Sequence, residues 1–62
     1  MKIKDMIMKA VDTEDGALAR QVADHYRYNF HASYEDILAL FQDYRPDLER
    51  ADFDALMEDE RE

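Results

Sequence analysis

Residues 33–46, SYEDILALFQDYRP, decide the fold class. Tyr34, Ile37, Leu38, Phe41 and Tyr44 recur at the three- and four-residue spacing of one helical face. Ser33 stands where an N-cap belongs, and Asp36 three positions later makes a capping box in its aspartate form. Pro46 closes the segment, because the residue before a proline avoids the α region. A helix over 33–45 follows.

Reading outward, Ile3, Met6, Ile7, Ala10 and Val11 repeat the same spacing and predict a first helix over 2–12, with Lys2, Lys4, Asp5 and Lys9 toward water. Thr13 is the expected cap of a second helix over 14–29, with Glu14 and Asp15 in its first turn, where the helix dipole favours carboxylates. That helix is expected to bury Leu18, Val22 and Tyr26, flanked by Ala19, Ala23 and Phe30. Leu48, Phe53, Leu56 and Met57 predict a last helix over 52–60, capped by Asp47 or Asp52. Residues 58–62 carry no apolar side chain and are expected to fray. With one glycine, one proline and no alternating β-branched stretch, the chain reads as all-α. The expectation is a single domain over 1–62, a compact bundle of three to four short helices.

Sixty-two residues form a small core, and without cysteine no disulfide or thiolate metal site reinforces it. The 47% hydrophobic content and seven aromatic residues nevertheless favour folding over disorder. The longest apolar run, Ile37 to Phe41, is far below the roughly 20 residues of a membrane-spanning helix. Asp5 and Lys9 interrupt any signal-peptide core. Starting at Met1, the chain is expected to be a complete small gene product, cytoplasmic in keeping with its lack of cysteine.

Charge is the strongest functional signal. Through His31 five acids (Asp5, Asp12, Glu14, Asp15, Asp24) balance five bases (Lys2, Lys4, Lys9, Arg20, Arg27). From Ala32 onward eleven acids face three bases, Arg45, Arg50 and Arg61, so the second half holds the whole net charge of −8. Such a half repels nucleic acid and anionic membrane and attracts basic protein surfaces.

Other functions fit the residues less well. The second and third helices with the bend 29–32 have the outline of a helix-turn-helix, but the longer loop lacks the usual glycine. The helix that would enter the major groove carries Glu35, Asp36 and Asp43, no lysine or arginine, and only Gln42 for base readout. A calcium loop starting at Asp52 has an acid at its third position but Leu56 and Met57 at its fifth and sixth; one starting at Asp12 has its glycine one place early. His25 and His31 are six apart, off the spacing of two ligands on one helical face. No metal, cofactor or enzymatic activity is expected: there is no phosphate loop, and the only serine is a cap.

The expected function is that of an acidic protein-binding module, an inhibitor or adaptor. Its acidic face, Glu35, Asp36, Asp43, Asp47, Glu49, Asp52 and Asp54, docks on a basic, nucleic-acid-binding surface of another protein. Tyr28, Tyr34, Leu40 and Tyr44 supply apolar anchoring; Tyr28 faces away if Tyr26 and Phe30 face in, and Met8 and Leu40 lie off the buried stripes. As a class and by no motif, the chain resembles the small acidic DNA mimics with which phages and mobile elements inhibit host nucleic-acid enzymes. The alternatives are a helix-turn-helix-like DNA-binding regulator and a self-assembling subunit such as a homodimer.

Eleven crowded carboxylates repel one another. The melting temperature is therefore expected to rise when salt increases from a few millimolar to about 0.15 M, where the Debye length is about 8 Å. A flat or falling melting temperature over that range would mean the acids are paired or point well apart.

Overall fold

A computed structural model describes residues 2–58, and four helices account for most of them: α1 (Ile3–Thr13), α2 (Gly16–Phe30), α3 (Tyr34–Tyr44) and α4 (Arg50–Glu58). No strand occurs among the described residues, so the all-α reading holds. The expected fraying of 58–62 lies, beyond Glu58, outside the described residues.

The helix ends come from local chemistry. α1 closes in a Schellman motif: Glu14 takes a left-handed conformation (φ 54°), its N–H reaches the Val11 carbonyl, and the Asp15 N–H reaches Ala10 at 2.9 Å. This turn keeps Thr13 inside α1, where its hydroxyl donates to the Lys9 carbonyl at 2.7 Å. The cap of α2 is therefore Asp15 and not Thr13; its carboxylate accepts the Leu18 N–H at 3.1 Å. α2 ends where His31 turns left-handed (φ 56°), with the N–H groups of His31 and Ala32 both on the Tyr26 carbonyl. α3 opens with the complete expected capping box: the Asp36 N–H donates to the Ser33 hydroxyl at 3.1 Å, and the Ser33 N–H donates to the Asp36 carboxylate at 3.0 Å. It stops at Tyr44, two residues before Pro46.

α4 starts at Arg50, two residues earlier than the spacing predicts. Asp52 accepts the Glu49 N–H at 3.4 Å, so its carboxylate holds the first turn from within rather than preceding it. The connection before it is tied down by the Gln42 side chain, which donates to the Leu48 carbonyl at 3.1 Å.

α1 packs on α2 and α3, and α2 also packs on α4. The core between them is Ile7 and Ala10 of α1, Ala19, Val22 and Ala23 of α2, Ile37, Leu38 and Phe41 of α3, and Leu48, Phe53 and Leu56 from the last third. The Cα radius of gyration, 10.4 Å, matches the roughly 10 Å expected of a folded chain this long.

On α2 the buried stripe is centred on the alanines, because small side chains admit the neighbouring helices closely. Leu18 and Tyr26 are half-buried at its edge, and Phe30, expected to flank it, is 64% exposed. His25 is exposed, while Met8, expected off the buried stripe, is half-buried.

Phe53 sits edge-on to Phe41 at 5.1 Å and to Tyr34 at 5.2 Å between ring centres. Phe53→Ala is expected to cost about 3–5 kcal/mol. That is most of the stability of a domain this small, at about 0.05–0.15 kcal/mol per residue. Circular dichroism should find the variant largely unfolded at room temperature. Ser33→Ala should cost only about 1 kcal/mol and lower the melting temperature by about 4–8 °C. Equal losses from the two would mean that the core does not carry the fold.

Candidate protein-docking surface

Two arginines organise the acidic half. Arg50, in the first turn of α4, makes a two-pronged pair with Glu35 at the start of α3, one prong at 2.8 Å. Its guanidinium also lies 5.9 Å from the Tyr34 ring centre and 4.0 Å from Asp54. Arg45, just past α3, bonds Asp47 at 3.2 Å and reaches Asp12 near the end of α1. The guanidiniums hold Glu35 and Asp47 below the ordinary carboxylate range, chiefly by hydrogen bonding. Arg50 and the carboxylates of these pairs are exposed, and Arg45 is half-buried, so each pair is weak.

The seven acids named from the sequence separate into two groups. Five have work inside the fold. Glu35 and Asp47 are paired with arginine, Asp36 and Asp52 bond backbone N–H groups at the starts of α3 and α4, and Asp54 accepts the Tyr34 hydroxyl. Asp43 and Glu49 are exposed and have no side-chain bond among the described residues.

The four apolar anchors also diverge. Tyr28 is 79% exposed, as its helical phase requires, and Tyr44 is 38% exposed. Tyr34 is half-buried against Phe53 with its hydroxyl on Asp54, so it forms part of the fold's wall. Leu40 is half-buried against the core. Phe30 is the surface aromatic that phase reasoning missed. It lies 5.3 Å from Tyr26 and 6.2 Å from His25, ring to ring, in the last turn of α2, beyond the reach of neighbouring helices.

Two concavities flank this surface. One, of about 400 Å³, has an apolar floor of Val11, Leu48 and Leu56 rimmed by Glu14, Asp47 and Asp52. The other is an open groove of about 300 Å³ between the end of α2 and the outer side of α3, floored by Tyr26, Ala32, Ile37 and Leu40 and edged by Asp36 and Asp43. Among the described residues no cluster of three His, Asp or Glu side chains is arranged to hold a metal ion, and no helix is long and apolar enough to cross a membrane. Compared with protein-family models, curated proteins and solved structures, the chain matches none of them.

Burial and the Asp54 carboxylate push the Tyr34 hydroxyl up from 10.0 to about 12, against the opposing charge of Arg50. Folding thus favours the protonated phenol. The resulting stability is fully present below pH 10 and is lost as pH rises through about 12. A phenolate absorbance titration is expected to show a step near 12 that Tyr34→Phe removes and Asp54→Asn moves downward, though not to its ordinary value, because burial remains. If Tyr34→Phe loses its one phenolate from the ordinary range near 10 and not from a step near 12, the bond to Asp54 is not formed in solution.

Proposed function

We propose that this protein is a small acidic protein-binding module, an inhibitor or adaptor that docks its C-terminal half on a basic, nucleic-acid-binding surface of a partner protein. One observation carries the reading: the entire net charge of −8 belongs to the residues from Ala32 onward, while the first half is neutral. The side-chain geometry supports it. Arg45 and Arg50 are turned onto carboxylates of the fold, whereas Asp43 and Glu49 project with no side-chain bond among the described residues. A field of one sign steers a basic partner in and weakens as salt screens it. It opposes duplex DNA, whose phosphates gain no counterion release from carboxylates. By covering a cationic groove, the acidic half excludes the nucleic acid that the groove otherwise holds. Tyr28 and Phe30, exposed near the neutral–acidic boundary, add the apolar contact that charge alone does not supply.

The test is capture from the source cell's lysate with the tagged protein at about 0.05 M and about 0.5 M salt, since screening separates electrostatic docking from other association. A nucleic-acid enzyme or its subunit should appear in the low-salt eluate by mass spectrometry. It should be absent at high salt and with Asp43→Lys combined with Glu49→Lys. Recovery of DNA alone would transfer the assignment to a DNA-binding regulator, and recovery of the protein alone to a self-assembling subunit.

A further inference from the structure

We propose that the groove between the end of α2 and the outer side of α3 receives the apolar face of a basic amphipathic helix carried by the partner protein; this rests on the acidic-module reading and names the partner's recognition element. The groove joins the two chemistries that such a helix presents. Its floor, Tyr26, Ala32, Ile37 and Leu40, is apolar, and three of those four are only partly covered by the protein's own core. The floor continues at Tyr26 into an exposed aromatic ridge, with Phe30 5.3 Å away and 64% exposed. A single helix lies along such a trough more readily than a flat surface does.

The rim sets the charge and the spacing. Asp36 and Asp43 stand seven residues apart on α3, on one face and about 10.5 Å apart along the axis. Only one oxygen of Asp36 is bonded to Ser33, and Asp43 has no side-chain bond among the described residues. A partner helix running alongside α3 meets both with lysines or arginines two turns apart along one edge of its apolar stripe.

A second copy of this chain is a poor occupant. Two-fold pairing through the groove sets Asp36 and Asp43 against their equivalents on two chains of net charge −8. Its basic α1 end offers Lys2 and Lys9 at the right separation, but Asp5 lies between them and the apolar stripe of α1 is already in the core. Nucleic acid is repelled by the same rim.

The probe is a synthetic helical peptide with lysines seven apart flanking a leucine stripe that contains one tryptophan. The protein has no tryptophan, so the emission reports the peptide alone. Its control is a scrambled peptide of equal composition without the stripe. Saturable binding to the full chain is expected, with a blue-shifted emission and amide NMR shifts centred on Ala32, Ile37, Ala39 and Leu40. Binding should weaken at least tenfold for the scrambled peptide and for Ala39→Arg. That variant places bulk and positive charge in the groove at an exposed position that tolerates a helix-forming residue.

Shifts centred on Val11 and Leu56 of the other concavity, undiminished binding by Ala39→Arg, or equal binding of the scrambled peptide would overturn the groove while leaving the acidic module standing. Failure of both peptides overturns the groove as well. If lysate capture at low salt also yields no basic partner, the module reading falls with it.

Discussion

The structure turns on the seating of Phe53. It is fully buried, edge-on to Phe41 and Tyr34, and it fixes α4 against α3. Aromatic pairs in this geometry contribute about 0.5–1.5 kcal/mol each beyond their buried area, a large share for so small a core. The polar surface follows from the same placement. With Phe53 inward, the next residue, Asp54, meets the Tyr34 hydroxyl, and Arg50, one turn earlier, lies by the Tyr34 ring and takes Glu35. The charge pattern of the acidic half is thus registered to the core by one aromatic contact.

The connections obey a second constraint, that non-glycine residues make the left-handed turns. Glu14 and His31 both adopt positive φ, which costs of order 1 kcal/mol each and persists only where the surroundings impose it. The only glycine, Gly16, is buried at the start of α2 instead. The turn at His31 leaves Phe30 outside the bundle and brings Ala32 beneath Tyr26. The trough between α2 and α3 therefore originates in the helix ending and not in any apolar pattern.

This explains what could be read from the chain alone. α3 was legible to within a residue at each end, because Ser33, Asp36 and the apolar stripe act within one segment. The cap of α2 was not, because Thr13, Glu14 and Asp15 are all chemically competent, and the choice is made by how α1 ends. Tyr28 was placed outside correctly by phase, but phase does not report where a neighbouring helix stops covering a stripe. Phe30 therefore emerged, while Tyr34 stayed half-buried on the stripe where its phase puts it, not on the surface as an anchor. The pairs Arg45–Asp12 and Arg50–Glu35 span 33 and 15 residues, so no local spacing announces them.

The arginine pairs with Glu35 and Asp47 add a small, pH-dependent contribution to the acidic half. The hydrogen bonds from arginine that depress Glu35 and Asp47 stabilise the fold at neutral pH, and that contribution is lost as pH falls through the lowered carboxylate values. Placing both arginines on the joints between helices offsets repulsion where the chain must close, and leaves it uncompensated at Asp43 and Glu49. An acid that serves only solubility works equally well anywhere on the surface. Asp43 stands at the edge of the apolar groove that Tyr26 and Leu40 also line, where its field disfavours an anionic neighbour and favours a cationic one.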